Sequence, residues 1–222
     1  MKRAVFLSHL LTKDTPGYGG APGFFCESKA SIAAGNSANS SEWRLSNHIG
    51  THIDVPYHFA EQGDTIDLYP AESWFFESPS LIDYPAKPAE LILPGDWLNA
   101  LPLESDLLLL RTSFEKHRRE SIYWEQNPGF SPELGAWLRK NRPQLRAIGA
   151  DILSATSWQH REVGRKAHLR FLDPALAGKP ILIIEDMALQ SLVKSPRRVV
   201  VAPMRVEGGD GGPVTVIAEV DG

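Results

Sequence analysis

The stretch His48-Ile49-Gly50-Thr51-His52-Ile53-Asp54-Val55-Pro56-Tyr57-His58 holds three of the chain's seven histidines and one carboxylate, all on even-numbered positions. Alternate residues of a β-strand share one face, so this parity gathers the four side chains if the segment is extended. Histidines four apart would also share a helix face, as in the H-E-x-x-H metalloproteases. The intervening residues decide between the two. Gly50, Thr51, Ile53 and Val55 are poor helix formers, and Pro56 disfavours a helical Val55. The segment is therefore expected to be strand. Imidazoles and a carboxylate are the ligands that zinc and similar divalent ions take, which makes the shared face a candidate metal site. At about 3.3 Å per residue, His52 and Asp54 lie roughly 7 Å apart at their backbones, close enough to share an ion. His48 and His52 lie roughly 13 Å apart, so either the strand bends, with Gly50 as hinge or bulge, or two ions are involved. Pro56 ends the ladder and turns the chain, letting His58 swing back over the site without having to bind metal.

From His48 to Phe59 the run reads H-x-G-T-H-x-D-x-P-x-H-F. It resembles the signature of the cyclase family of metal-dependent hydrolases, which includes bacterial kynurenine formamidases and isatin hydrolases. The resemblance extends along most of the chain. Leu7-Ser8-His9 with Asp14-Thr15-Pro16 looks like the family's N-terminal opening, and Leu109-Leu110-Arg111-Thr112 like its central strand. Gly129-Phe130-Ser131 with Ala136-Trp137-Leu138 looks like the helix that follows. Ile148-Gly149-Ala150-Asp151 with Ser154 resembles a later strand, and Gly209-Asp210-Gly211-Gly212-Pro213-Val214 the C-terminal loop. Two departures stand out. Tyr18-Gly19-Gly20-Ala21 replaces the family's usual aromatic-Pro-Gly-Asp at the substrate loop, and Asp173 to Pro180 lengthens the spacing between a late histidine and a glutamate.

Composition fits an ordinary enzyme. With 222 residues, 42% of them hydrophobic and 23% charged, the chain can bury a substantial core, and without a low-complexity linker or repeat it reads as a single domain over 1–222. A net charge of -4 and a pI near 6.0 give no basic face for nucleic acid. The run Lys116-His117-Arg118-Arg119 adjoins Glu115 and Glu120 and reads as a solvated surface. One cysteine, Cys26, excludes an intramolecular disulfide and is expected to be a small buried hydrophobe with no role. No hydrophobic run of signal or membrane-spanning length follows Met1-Lys2-Arg3, so the cytoplasm is the expected location, with no membrane partner.

Strands are expected near Val5–Ser8, Glu27–Ala33, Trp43–Val55, Leu81–Tyr84, Leu91–Leu93, Asp106–Arg111, Ala147–Asp151, Ile181–Glu185, Arg198–Ala202 and Val214–Val220. The clearest helix starts at Ser131 as N-cap with Pro132 at its first position, and it buries Leu134, Trp137 and Leu138. A shorter one follows Pro94-Gly95 with Asp96 as cap, and another runs from Glu162 to Leu172. Strands outnumber helices in irregular order, which indicates a mixed α/β, α+β-like fold. The family resemblance implies a swivelling β/β/α architecture, a mixed sheet packed against a few helices, and a homodimer or homotetramer.

A metal site takes at least three protein groups, so further ligands are sought among His9, His117, His160, His168 and the carboxylates. Glu185 ends the apolar run Ile181-Leu182-Ile183-Ile184, where a carboxylate needs a partner. The resemblance implies that His168 and Glu185 complete a centre with His48, His52 and Asp54, holding one or two divalent ions, zinc first and manganese as the alternative. His58 is the candidate proton carrier, with Glu185 the other catalytic residue; His58 as a further ligand or an orienting group is the competing reading. Thr51 either hydrogen-bonds a ligand or only satisfies β propensity. A small, aromatic substrate is expected, with Tyr18, Phe24, Phe25, Trp74 and Phe75 in regions that border the site. The reaction implied is hydrolysis of a C–N bond in an aryl formamide or cyclic amide. A cyclisation or lactone hydrolysis at the same centre, or a non-catalytic metal or small-ligand binding protein, are the alternatives.

Overall fold

The computed structural model describes residues 2–221. Thirteen strands and three helices occur among them: β1 (Lys2–Phe6), β2 (Phe24–Ala30), β3 (Ser40–Leu45), β4 (His52–Asp54), β5 (Phe75–Phe76), β6 (Pro79–Asp83), β7 (Leu91–Ile92), β8 (Leu107–Arg111), α1 (Ile122–Glu125), β9 (Gly129–Phe130), α2 (Pro132–Asn141), β10 (Ala147–Ala150), α3 (Arg161–Leu172), β11 (Leu182–Glu185), β12 (Arg198–Pro203) and β13 (Gly211–Asp221). Nine strands form one mixed sheet in the order β5-β12-β13-β4-β11-β10-β8-β6, with β1 on the edge of β13. The neighbours β11, β10, β8 and β6 run parallel, whereas β4 is antiparallel to both β11 and β13. The fold is therefore mixed α+β with a large sheet and few helices.

The parallel strands are short apolar runs because the sheet is covered on both faces. Leu108 and Leu110 of β8 point to the helix side, where they join Ile148, Ile183, Leu134, Leu138 and Phe171. Leu107 and Leu109 point the other way, toward Ile53, Val55, Ile184, Val199 and Val216. Each such buried leucine contributes about 1.5–3 kcal/mol of transfer free energy. On the helix side, Gly135 of α2 lets Phe171 of α3 approach, since a Cβ there would come within 3.0 Å of that ring. Helix α2 starts as its sequence requires: the Ser131 hydroxyl accepts the Leu134 N–H at 3.2 Å and Pro132 occupies the first turn.

Three local expectations are corrected. The extended run Trp43–Val55 is two strands, β3 and β4, because the chain turns through a left-handed Gly50 at φ 62°. The segment after Gly95 is a short 3-10 turn, Asp96–Ala100, with Gly95 rather than Asp96 at its cap. Cys26 is exposed, because β2 and β3 pair only with each other and their hairpin is exposed along most of its length. No helix among the described residues is long and apolar enough to cross a membrane.

Candidate active site

Strand pairing assembles the centre. β4 lies beside β11 in a register that sets His52 opposite Glu185, and Asp54 lies two residues on, so the three side chains share one face of the sheet. Helix α3 brings His168 down onto that face, with the Phe59 ring stacked on its imidazole at 4.4 Å. All four groups are buried. His52 Nε2 lies 3.2 Å from Glu185 Oε2 and 3.6 Å from Asp54 Oδ1. His168 Nε2 lies 3.4 Å from Glu185 Oε1 and 3.5 Å from Asp54 Oδ2. Each carboxylate thus turns one oxygen to each imidazole.

Three observations fit this cluster to a divalent ion. Donor separations of this size match the edge of a tetrahedral shell, about 3.3 Å for ligand bonds of about 2.0–2.1 Å. The far ring nitrogens are both tied to backbone: His52 Nδ1 donates to the Gly50 carbonyl at 2.8 Å and His168 Nδ1 to the Gly164 carbonyl at 2.9 Å. A carbonyl only accepts, so each Nδ1 carries the proton and each Nε2 is aimed at the carboxylates, the arrangement metal-binding histidines use. Finally, Asp54 Oδ2 is buried with no hydrogen-bond donor, which a cation would satisfy. Glu185 is oriented by the Ala155 N–H at 2.6 Å and the Ser154 hydroxyl at 3.2 Å, both donating to Oε1.

Beside this cluster lies a second one that shares Asp54. His48 Nδ1 is 2.8 Å from Asp54 Oδ1, and its Nε2 is 2.9 Å from Asp210 Oδ2. His58 Nδ1 is 2.8 Å from the same Asp210 oxygen, and its ring stacks on His48 at 3.9 Å. The Gly50 turn folds His48 back over Asp54, and Pro56 starts the 3-10 turn that returns His58. The structure therefore brings together every expected site residue, with His52, Asp54, His168 and Glu185 in one group and His48, Asp54 and His58 in the other. The remaining candidates stand apart: His9 lies 3.8 Å from Glu115 and His117 pairs with Glu120. His160 occupies the N-cap position of α3, with no capping hydrogen bond from its side chain.

The charge states differ across the site. Burial pulls the His52 pKa down, but Glu185 and Asp54 outweigh it and push it up to about 9; His168 is pushed up to about 10 in the same way. Burial raises Glu185, yet the two imidazoles hold it at about 2. For His58, burial is the larger influence and lowers its pKa below 6.5 in spite of Asp54 and Asp210. In protein stripped of metal these shifts dictate a stability profile. The raised histidines stabilise the fold fully below their unfolded value of 6.5 and lose that contribution as pH rises through about 9 to about 10. The depressed Glu185 contributes fully above 4.5 and loses its share as pH falls toward about 2. The melting temperature of the stripped protein is expected to decline as pH rises from 6.5 to about 10, and the upper part of that decline should vanish in His168→Asn. Identical alkaline declines in the two proteins would contradict the assignment.

The model of the Cyclase family ("Putative cyclase") matches residues 5–157, well over half of the chain. The chain belongs to the cyclase family. Among the curated relatives of this cyclase-family protein is Cyclase-like protein 2 of Oryza sativa subsp. japonica, 27% identical over 97% of this chain and 79% of its own. Another is the kynurenine formamidase of Bacillus mycoides, 25% identical over 96% and 95%. Isatin hydrolase A from Labrenzia aggregata superposes with a TM-score of 0.81 at 23% identity, covering 99% of this chain and 94% of that one, and shares the fold.

Two features of this cyclase-family site escaped the sequence reading. Asp210 is 162 residues from His48 and reaches it because β13 pairs with β4, bringing Gly211 opposite Asp54. Its signal was the motif Gly209-Asp210-Gly211-Gly212, noted for resemblance but not for a charge. Thr51 proves to be internal bracing: its hydroxyl donates to the Asp186 carbonyl at 2.5 Å and accepts the His9 N–H at 2.9 Å. Of the five aromatic candidates, Tyr18 alone lines the site cavity of about 340 Å³, joined there by Phe59. Trp74 is core, Phe25 and Phe75 are exposed, and Phe24 borders a separate apolar hollow with Trp43 and Met204.

Proposed function

We propose that the chain is a metal-dependent hydrolase that cleaves a C–N bond in an aryl formamide or cyclic amide. The observation that carries this reading is the convergence of His52, Asp54, His168 and Glu185 beside a His58–Asp210 pair in one cavity. Kinship with kynurenine formamidases over nearly the whole chain supports the reaction class.

His52, Asp54, His168 and Glu185, with His48 on the other side of Asp54, would hold one or two divalent ions, zinc or manganese. Such an ion supplies Lewis acidity to a carbonyl oxygen and lowers the pKa of water from about 15.7 toward about 7. The rest is done by side chains. Asp210, held below the usual carboxylate range by His48 and His58 against its own desolvation, is an acceptor only. His58 must therefore donate through Nδ1, which leaves Nε2 as a base. With its pKa below 6.5 it is neutral at pH 7 and ready to take a proton from the attacking water. It then returns that proton to the nitrogen as the C–N bond breaks, releasing a carboxylic acid and an amine. Tyr18, Phe59 and Leu153 give the cavity its apolar wall for a ring.

The test is an assay of the metal-loaded protein on formanilide, N-formylkynurenine, isatin and an aryl lactone. Turnover of at least one amide or lactam is expected, at a higher kcat/KM than the lactone. Turnover of the lactone alone would move the reaction to ester chemistry, and no turnover of any would leave a binding protein.

A further inference from the structure

The substrate loop that departs from the family pattern is built against Trp158, in the 3-10 turn Trp158–His160 that leads into α3. Gly19 sits at φ 67°, and a Cβ there would come within 2.4 Å of the Trp158 ring, so the Tyr18-Gly19-Gly20 turn lies flat on that indole. Tyr18 meets Trp158 edge-on at 5.0 Å. On the same indole lies Arg161, with its guanidinium carbon 3.4 Å from the ring centroid. A guanidinium stacked on an aromatic face keeps its N–H donors in plane and free at the edge. Arg165 is one turn further along α3, about 6 Å along the axis, and His168 follows on the same face. Both arginines line the cavity that holds His52, His168 and Glu185.

These donors lack acceptors. Among the described residues no carboxylate pairs with Arg161, and Arg165 meets only the exposed Glu162 at 3.6 Å, a contact of little strength in water. The Tyr18 hydroxyl, in the same cavity, is buried with no hydrogen-bond partner. Burial raises its pKa, so it remains a donor. The buried Tyr18 hydroxyl left unmade is costly, and the two arginines, exposed to solvent, bring two positive charges with no strong carboxylate partner to the same cavity, so the three together suit an anionic acceptor from a ligand. The planar bidentate acceptor that suits a guanidinium is a carboxylate.

We propose that Arg161, Arg165 and the Tyr18 hydroxyl form a carboxylate-binding subsite, so that the substrate is an acid, carrying a free carboxylate besides the bond that is cleaved. This rests on the hydrolase reading above for its chemistry, but binding tests it independently. In metal-stripped protein, where no ion can ligate the probe, ligand-observed NMR is used to titrate benzoate and benzamide. Benzoate is expected to bind about tenfold or more tightly than benzamide, as charge-assisted bidentate contacts allow, and the double variant Arg161→Gln, Arg165→Gln should erase the difference. Equal binding of the two probes, or a preference that survives in the double variant, overturns the subsite. With metal loaded, N-formylanthranilate should exceed formanilide in kcat/KM by a similar factor, and the ratio should fall toward one in the double variant. Hydrolysis of formanilide in preference to N-formylanthranilate would leave the hydrolase standing and remove the subsite. Hydrolysis of neither, with N-formylkynurenine and isatin also left intact, would remove the hydrolase, while the benzoate preference would still decide the subsite.

Discussion

Asp54→Asn is expected to remove metal and activity together, lowering kcat/KM by well over the roughly 100-fold that loss of an outer hydrogen-bond partner brings. Asp54 is the hub: its carboxylate faces His48, His52 and His168, and it belongs to both clusters. Asparagine preserves the volume but carries no charge and presents one amide nitrogen, a donor, where an acceptor is needed. Against burial, the surrounding imidazoles hold the Asp54 carboxyl well below the usual carboxylate range, so the native group is charged throughout the working pH range. With that charge gone, His52 and His168 lose part of what raises them and their pKa values fall. Metal content after dialysis against chelator and kcat/KM after reloading are the two readouts. A variant that kept both would show that Asp54 is only a core carboxylate.

His58→Ala is expected to behave differently, with kcat falling about 10²–10⁴-fold while metal stays bound. His58 touches Asp210 and stacks on His48, but it makes no pairing with Glu185 or Asp54 of the kind that His168 makes. The pH profile carries the same information. A base must be neutral, so kcat/KM should rise with pH through a value below 6.5, the direction in which burial shifts His58, and then level off. That acid limb should be missing in His58→Ala. Full turnover in the metal-loaded variant would exclude the proton-transfer role, and loss of metal would make His58 a ligand instead. Asp210→Asn tests the partner: asparagine can still accept from Nδ1 through its carbonyl, so a smaller loss, about 10–100-fold, is expected.

What could be read from the sequence follows the range of the interaction. Leu107–Arg111 and Leu182–Glu185 were legible because short apolar runs of β-branched and aliphatic residues form strands wherever a sheet covers both faces. Ser131-Pro132 announced α2 because capping is local. His52 and Asp54 were legible as a pair because alternation on a strand is local too. The fate of His48 was open, since Gly50 allowed a bend that only tertiary packing selects; Leu11 crowds that glycine, where a Cβ would come within 2.6 Å. Asp210 was invisible as a charge partner because its approach depends on a β13–β4 register that no local pattern encodes. Cys26 was misread for a similar reason: β propensity indicated a strand, but whether that strand is covered depends on its neighbours, and β2 has only β3.

The central claim is that buried histidines and carboxylates of this chain hold a divalent ion on which hydrolysis depends. The most direct measurement is a titration of chelator-stripped protein with zinc and, separately, manganese, following formanilide or N-formylkynurenine turnover and bound metal in the same samples. Turnover is expected to be absent at the start, to rise in proportion to bound metal, and to level off at one or two equivalents per chain. Binding should release protons, since His52 and His168 are protonated below about 9 in the stripped protein. Turnover that is already full in stripped protein, or protein that binds no metal at any concentration tested, would contradict the account.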